Sequence, residues 1–195
     1  MLPVMLNIEG KKCTVIGGGK VALRKAKKLT EYGGAVTAIA IGFIDGFENI
    51  STIQKRYTPS DIENSFLVIA ATNDRELNRQ IAQDAKELNV LVSLANDSSA
   101  SDFVFPASGG CGDITLSVST DGKFPLLAKK LCADRSENLE LYNSILPILE
   151  KYRQQIIAEN RDTKKELLEY MISDEMFEDA KKDITLFEQK IKEKL

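Results

Sequence analysis

The first half of the chain alternates short apolar runs with longer stretches in which apolar residues recur every three or four positions. The continuous apolar runs predict buried strands at residues 13–16, 35–41, 66–71 and 90–94. The helical spacing predicts amphipathic helices at residues 20–32 and 75–88. An edge strand at residues 52–57 and a short helical turn from Pro59 lie between them. Such an alternation predicts a parallel sheet with right-handed crossovers.

The pattern changes near residue 95. Two strands of an antiparallel unit are predicted at residues 103–106 and 114–119, with turns at Gly109-Gly110 and Gly112-Asp113. After a further turn at residues 120–123, Pro125 is well placed to begin a helix that ends near Ala133. The rest of the chain has one proline and no glycine, and it predicts helices at residues 137–160, 163–172 and 174–192.

These elements predict an α/β fold in three parts. Residues 1–110 form a Rossmann-like domain with a parallel sheet, residues 111–136 a small mixed segment, and residues 137–195 an α-helical C-terminal domain. The helical part has an apolar stripe that is typical of a core or of a subunit contact. The stripe consists of Leu141, Ile145, Ile148, Leu149, Tyr152 and Ile156.

A glycine-rich stretch joins the first predicted strand to the first helix. Its pattern is G-x-G-x-x-A, with Gly17, Gly19 and Ala22 in the three defining places. Gly17 permits a sharp turn, Gly19 lets a pyrophosphate approach the backbone, and Ala22 lets the helix pack closely on the strand. The N–H groups at the helix start would hold the phosphates. The alternative is a glycine turn with a purely structural role.

The residues after two other predicted strands help to decide between a nucleotide-binding turn and a purely structural one. A dinucleotide fold often places an acidic residue after the second strand, but here Ile41 and Gly42 stand there, and the next acid is Asp45. Either backbone groups hold the ribose or the glycines are structural. Thr72-Asn73-Asp74 follows the apolar run at residues 66–71, where open α/β sheets bind ligands. These short polar residues also suit capping of the next helix.

Composition narrows the function. The 195 residues are 43% hydrophobic and 28% charged, with a net charge of −3, so no basic field indicates nucleic acid. No apolar stretch is long enough to span a bilayer, and the start lacks a signal peptide, so a cytoplasmic protein is expected. Three widely spaced cysteines favour reduced thiols, and no metal site is predicted. Histidine is absent, which leaves acid–base chemistry to carboxylates, Lys, Tyr, Cys or water.

The order of the motifs resembles the precorrin-2 dehydrogenase family of siroheme biosynthesis, including the N-terminal module of siroheme synthases. The matching stretches run from the start of the chain to about Leu131, and the helical tail is similar only in general character. They are Leu2-Pro3-Val4, residues 15–25 with Arg24-Lys25, Ile69-Ala70-Ala71-Thr72-Asn73-Asp74, Asp102-Phe103-Val104-Phe105-Pro106-Ala107 and residues 116–128.

The resemblance implies NAD-dependent oxidation of precorrin-2, a tetrapyrrole, to sirohydrochlorin in a homodimer, with residues 111–136 as the dimerisation segment. Some family members also insert ferrous iron as a chelatase substrate; without a histidine, we favour the dehydrogenase activity alone. The choice between NAD and NADP stays open, because residues 41 and 42 supply neither an acid nor an arginine. The substrate's carboxylates could meet cations such as Arg24, Lys123, Lys129 and Lys130.

The resemblance also implies site residues. On the cofactor side they are Gly17, Gly19, Lys20 and Val21 at the nucleotide turn, Ile41 and Gly42 beside the adenosine ribose, and Thr72, Asn73 and Asp74 beside the nicotinamide. The family's important aspartate falls on Asn96 when residues are counted back from Pro106. Asp97 could take the role as proton acceptor after a shift by one residue, and Asp102 is a third candidate.

Two other classes of function compete with the enzyme. One is a non-catalytic protein that senses NAD or binds a tetrapyrrole, which the asparagine at position 96 favours. The other is a ligand-free helical adaptor on a Rossmann scaffold. A ligand-free adaptor would not explain why the motifs at residues 102–106 and 119–123 occur together with the sheet.

Overall fold

The computed structural model describes residues 1–135, 138–159 and 162–195. The chain divides into two compact units, Met1–Phe105 and Pro106–Leu195. The domain border expected after residue 110 stays a prediction, and the one expected between residues 136 and 137 lies outside the described residues. In the part of the chain that is described, no helix is long and apolar enough to cross a membrane.

A five-stranded parallel sheet is the centre of the first unit. Its strands are β1 (Lys12–Ile16), β2 (Ala35–Ala40), β3 (Ser51–Gln54), β4 (Leu67–Ala70) and β5 (Leu91–Leu94). They lie in the order β3-β2-β1-β4-β5, and every neighbouring pair is parallel. Helix α1 (Lys20–Glu31) follows β1, and helix α2 (Arg75–Glu87) follows β4. The prediction of a Rossmann-like parallel sheet is confirmed.

The helices explain why the central strands are apolar throughout. Ala22, Ala26 and Leu29 of α1 belong to the core on one face of the sheet. Ile81 and Ala85 of α2 belong to the core on the other face. All four residues of β4 are buried, because a strand covered on both faces has no solvent side for a polar residue.

The chain itself covers the outer edge of β5. The Asp102 amide donates to the Val92 carbonyl (2.8 Å), and the Asp102 carboxylate accepts from the Val92 amide (2.9 Å). The Ser101 hydroxyl accepts from the Leu94 amide (2.9 Å). Phe103 and Phe105 then pack against the core on the α1 side. The strand predicted at residues 103–106 is wrong, because these alternating apolar residues return to the core from a loop.

The second unit begins with an antiparallel hairpin of β6 (Ala107–Cys111) and β7 (Ile114–Val118). The predicted turn at Gly112-Asp113 is confirmed, but the one at Gly109-Gly110 is wrong, since both glycines lie inside β6. A Cβ at Gly110 would lie 2.7 Å from the Ile114 carbonyl oxygen across the hairpin, so glycine serves close strand approach there. Helix α3 (Pro125–Arg135) packs on the hairpin through its buried Ala128 and Cys132.

In the described part of the second unit, four more helices follow α3. They are α4 (Leu139–Ala158), α5 (Lys164–Met171), α6 (Asp174–Lys182) and α7 (Ile184–Lys194). Ile145, Tyr152 and Ile156 of the predicted apolar stripe are buried in their common core. The predicted helix ends at residues 137 and 160 lie outside the described residues.

The single helix predicted over residues 174–192 is wrong, because Asp183 divides it in two. Asp183 has an extended backbone (φ −159°, ψ 116°), and its carboxylate accepts from the Thr185 amide (2.7 Å). An aspartate in this position caps the start of α7 and gives the N–H groups of that helix a partner.

Glu188 on α7 accepts hydrogen bonds from α4, and these bonds make the stability of this unit depend on pH. Its Oε1 accepts from Lys151 Nζ (2.8 Å) and from the Tyr152 hydroxyl (2.9 Å), and these bonds lower the pKa of Glu188 to about 2. Because the folded pKa lies below the unfolded value, the stabilisation is complete above about pH 4.5 and disappears as the pH falls towards 2. Denaturant unfolding measures the free energy of unfolding at each pH. We expect Glu188→Gln to make the fall in this free energy between these pH values smaller than in the native protein.

The control for this experiment is Glu193→Gln on the same helix. Among the described residues, Glu193 accepts a hydrogen bond from Gln189 alone, one turn away on the exposed face of α7. Its replacement should leave the acid dependence of the free energy of unfolding as it is in the native protein. An equal effect of both substitutions would show that the bonds from Lys151 and Tyr152 do not carry the acid response.

Candidate nucleotide-binding site

The carboxyl ends of the parallel strands bring most of the predicted site residues to one edge of the sheet. The glycine turn follows β1, and Ile41-Gly42 follows β2. Thr72-Asn73-Asp74 follows β4, and Asn96-Asp97 follows β5. The strand order reverses between β1 and β4, which is where open α/β sheets bind their ligands. Asp102 lies apart from this edge, because it pairs with Val92 near the amino end of β5.

The glycine turn packs directly against the backbone of its neighbours. Gly17 has φ +136°, and a Cβ there would lie 2.4 Å from the Ala71 carbonyl oxygen. A Cβ at Gly18 would lie 1.9 Å from the Gly42 carbonyl oxygen. The amide of Gly17 donates to Ile39 O (2.9 Å), and the carbonyl of Gly18 accepts from the amide of Ile44 (3.0 Å). The first two glycines therefore hold the turn against β2 and β4.

Gly19 faces open space instead. A Cβ added there, or at Gly42, would meet no atom within 4 Å of any described residue other than its chain neighbours. Gly19 is the N-cap of α1, no side chain caps this helix, and its first turn carries no acidic residue. The first N–H groups of a helix have no partner within the helix, and no side chain supplies one at the start of α1. The arrangement fits a pyrophosphate, which such N–H groups and the helix dipole favour.

The start of helix α2 is different, because the side chain of its N-cap residue already accepts from its first N–H groups. The Asp74 carboxylate accepts from the amides of Glu76 (2.9 Å) and Leu77 (3.1 Å). The prediction that a polar residue at this strand end caps the next helix is confirmed for Asp74. Of these two helix starts, that of α1 is the one without a side-chain cap, so its N–H groups could bind a phosphate.

Thr72 is fixed by a residue that the sequence did not indicate. The Thr72 amide donates to Asn78 Oδ1 (3.1 Å), and Asn78 Nδ2 donates to the Thr72 carbonyl (3.0 Å). Asn78 is 0% exposed, and a buried amide in a helix is a signal for such a role only once the fold is known. Asn73, between Thr72 and Asp74, is exposed and makes no hydrogen bond with another described residue.

The end of β2 offers backbone atoms and one amide. The Ile41 side chain is 74% exposed, and the Ile41 carbonyl accepts from Gln54 Nε2 (3.1 Å). Gln54 ends the neighbouring strand β3, so only the register of the sheet brings it here. The next residue, Lys55, forms an ion pair with Asp61 (2.7 Å).

Asp97 is held by one oxygen and presents the other. Its Oδ1 accepts from the Ser99 hydroxyl (2.6 Å), the Ser99 amide (3.0 Å) and the Ala100 amide (3.3 Å). The hydrogen bonds from Ser99 lower the pKa of this carboxyl, so it is ionised at neutral pH. Its Oδ2 makes no hydrogen bond within the described residues. Asn96, next to it, is exposed.

The cations that the sequence analysis named differ in their surroundings. Arg24 lies in the first unit, whereas Lys123, Lys129 and Lys130 lie in the second, where Lys130 pairs with Asp134 (3.2 Å). The residue after Arg24 has a packing role. Lys25 Nζ lies 3.8 Å from the centre of the Phe105 ring, and burial together with the charge of Arg24 lowers the pKa of Lys25 to about 8.

Comparisons with known proteins agree with this geometry. Residues 4–107 match a protein family described as putative NAD(P)-binding. A precorrin-2 dehydrogenase of Priestia megaterium is 32% identical over 90% of this chain and 91% of its own length. A siroheme synthase of Nitrosococcus oceani is 34% identical over 80% of this chain, and one of Psychrobacter arcticus is 33% identical over the same share.

The match with the siroheme synthases covers only a part of those proteins. The chain spans about a third of their length, namely 35% of the Nitrosococcus protein and 30% of the Psychrobacter protein. A solved structure, titled SirC, precorrin-2 dehydrogenase, superposes over 99% of this chain and 100% of its own. The TM-score is 0.76 and the sequence identity 28%.

Proposed function

Since the chain belongs to the precorrin-2 dehydrogenase family, we propose that it uses NAD to oxidise precorrin-2 to sirohydrochlorin. The observation that carries this proposal is the uncapped start of α1 behind the turn at Gly17, where the strand order reverses. A nicotinamide cofactor bound at this edge supplies the acceptor for the hydride that leaves the substrate. The protein has to bind both partners and accept the proton that leaves with the hydride.

The cofactor would lie along the carboxyl edge of the sheet. The backbone at Gly17, Gly19, Lys20 and Val21 surrounds the pyrophosphate in this proposal, and Ile41 and Gly42 flank the adenosine ribose. Thr72, Asn73 and Asp74 then lie beside the nicotinamide half, as in other folds with this strand order.

We propose NAD in preference to NADP because no free cation follows β2. A 2′-phosphate on the ribose is usually met by an arginine or another positive side chain. Ile41 and Gly42 supply none, and the nearby Lys55 is already paired with Asp61.

Asp97 is the proposed proton acceptor. Its Oδ1 is occupied by Ser99 and Ala100, which fixes the side chain, while Oδ2 remains able to accept a proton from the substrate. Asn96 has no basic oxygen of this kind, and Asp102 is committed to the edge of β5. A role of Asn96 or Asp102 in catalysis is the alternative against which Asp97 is tested.

A second candidate function is the sensing of NAD or the binding of a tetrapyrrole without catalysis. One observation favours it: the hydrogen bonds from Ser99 lower the pKa of Asp97, and a lower pKa makes a weaker base. A chain of this type would bind the cofactor and leave precorrin-2 unchanged.

One experiment separates the two functions. NADH formation is followed at 340 nm under anaerobic conditions with precorrin-2 and NAD, and NAD binding is measured separately by calorimetry. The dehydrogenase predicts NADH formation in proportion to sirohydrochlorin. Binding of NAD without NADH formation would reject the dehydrogenase in favour of the sensor. Adding ferrous iron to sirohydrochlorin in the same cuvette tests our expectation that the oxidation is the only activity.

We further propose that the protein is a homodimer whose contact includes the hairpin and α3. The hairpin pairs with no other strand of the described residues, so its outer strand edges are open to pairing with a second copy of the chain. Leu126, Leu127 and Leu131 of α3 are exposed, the first of them at 69%. Sedimentation equilibrium should give twice the mass of one chain, and Leu126→Asp should shift it towards the monomer. A monomeric native protein would contradict the proposal.

A further inference from the structure

A small polar hollow lies beside the end of β5, on the edge of the sheet that holds the proposed site. Its volume is about 130 Å³, and its lining consists of Arg75, Arg79, Leu94, Asn96 and Asp97. Arg75 is the first residue of α2, and Arg79 lies about one helical turn further on. The hollow therefore joins two guanidinium groups to the proposed proton acceptor.

The two arginines differ in what they contact. Arg75 makes no hydrogen bond or ion pair with any other described residue. Arg79 holds a carboxylate already, since its Nη1 lies 2.6 Å from Oε1 of Glu76, and both side chains are largely exposed. An exposed pair of this kind contributes little to stability, so another carboxylate can replace Glu76 at small cost. Leu94 gives the hollow a buried apolar wall.

The charges of the lining favour an anion. The lining contains two cationic residues and one carboxylate, that of Asp97, whose Oδ1 already accepts from Ser99 and Ala100. Arg79 and Asp97 line the same hollow, and the positive charge of Arg79 adds to the hydrogen bonds from Ser99 that lower the pKa of Asp97. A guanidinium binds a carboxylate through two parallel hydrogen bonds, and this geometry also fixes the orientation of the bound group.

We propose that Arg75 and Arg79 bind a carboxylate side arm of the tetrapyrrole and thereby position the macrocycle beside Asp97. This inference rests on the proposed function and adds to it the residues that recognise the substrate. The hollow is too small for a macrocycle but has the size of a carboxylate arm. The arginines are thus positioning residues, and Asn96 lies where its amide can donate to the same arm.

The test compares Arg75→Gln, Arg79→Gln and the double variant with Lys86→Gln, which removes an exposed cation near the other end of α2. Two quantities are measured: the KM values for precorrin-2 and NAD, and the dissociation constant of sirohydrochlorin from absorbance titrations without NAD. The double variant should raise the KM for precorrin-2 and weaken sirohydrochlorin binding about tenfold or more. The KM for NAD should stay within about twofold, and Lys86→Gln should behave as the native protein.

Arg79→Lys sharpens the result, because it keeps the charge and loses the paired hydrogen bonds. It should recover only part of the affinity lost in Arg79→Gln. Unchanged sirohydrochlorin binding in the double variant, with a native protein that oxidises precorrin-2, would overturn the inference and leave the proposed function standing. A native protein that does not oxidise precorrin-2 would overturn the proposed function, and the substrate assignment of the hollow with it.

Discussion

Gly17→Ala is expected to lower the melting temperature of the first unit by more than about 10 °C. The new methyl carbon would lie 2.4 Å from the Ala71 carbonyl oxygen. Neither atom can move away without its backbone, because one is a backbone oxygen and the other is bonded directly to Cα. The backbone at φ +136° adds strain for any residue with a Cβ. Together, backbone strain and overpacking cost about 3 kcal/mol, which corresponds to such a shift in a domain of this size.

Gly19→Ala is the matched variant, since it changes the same turn without a clash. Apart from its chain neighbours, no residue that the structure describes lies within 4 Å of a Cβ at Gly19, and the φ of −93° suits alanine. Alanine is the poorer N-cap, so the free energy of unfolding should fall by no more than about 1 kcal/mol. The methyl group would, however, enter the space before the N–H groups of α1.

Calorimetry should therefore show at least a tenfold loss of NAD affinity in Gly19→Ala, with a nearly native melting curve. Native NAD binding in this variant would show that the pyrophosphate does not approach the turn at Gly19. A native melting temperature in Gly17→Ala would show that the contact with Ala71 relaxes without cost. The two variants thus separate the structural use of the glycines from their use in binding.

Asp97→Asn is expected to lower kcat for precorrin-2 oxidation by about a hundredfold or more, which is the usual effect of removing a general base. Asparagine keeps an oxygen that can accept from Ser99 and Ala100, so the loop should keep its conformation. The KM for NAD and the melting temperature should stay close to the native values. Steady-state rates at 340 nm under anaerobic conditions measure the effect.

Asp102→Asn and Asn96→Asp complete this comparison. Asparagine at 102 still has an oxygen for the Val92 amide, and the site lies near the amino end of β5, so kcat should change by no more than about threefold. Native activity in Asp97→Asn would reject Asp97 as the proton acceptor. In that case Asn96→Asp, which places a carboxylate one position earlier in the loop, should raise kcat if position 96 holds the role.

Local patterns predicted the strands, helices and turn that the nucleotide site depends on. The continuous apolar run at residues 66–71 predicted a strand covered on both faces, and the structure buries every residue of β4. The glycine turn could also be predicted, because the strand, the glycines and the start of the helix follow one another in the sequence. These features need no information about distant residues.

The features that sequence reasoning missed depend on distant contacts. Gly109-Gly110 has the composition of a turn, yet the approach of Ile114 across the hairpin explains the second glycine. Asp183 lies within helical spacing on both sides, so nothing nearby reveals that it caps a new helix. Gln54 reaches Ile41 only through the register of β2 and β3.

The candidate site likewise combines features that local sequence predicts with features that depend on distant contacts. Arg75 and Arg79 are ordinary helix residues in the sequence, while the cations named there came from other segments. Only the position of α2 beside β5 brings the two arginines next to Asn96 and Asp97. Conversely, the motif at residues 102–106 was specific in sequence, and the structure explains much of it by the cover of β5 and the packing of two phenyl rings.

The strand order of the sheet has a consequence for synthesis on the ribosome. Strand β1 ends at Ile16 and lies in the middle of the sheet, whereas its partner β4 starts at Leu67 and is made only after β2 and β3. At about 5–20 residues per second, the nascent chain exposes one side of β1 for seconds before β4 leaves the exit tunnel. Force measurements on arrested nascent chains should detect folding only once β5 has emerged. Until then the unfinished half-sheet exposes apolar strand surface that is otherwise covered in the folded unit.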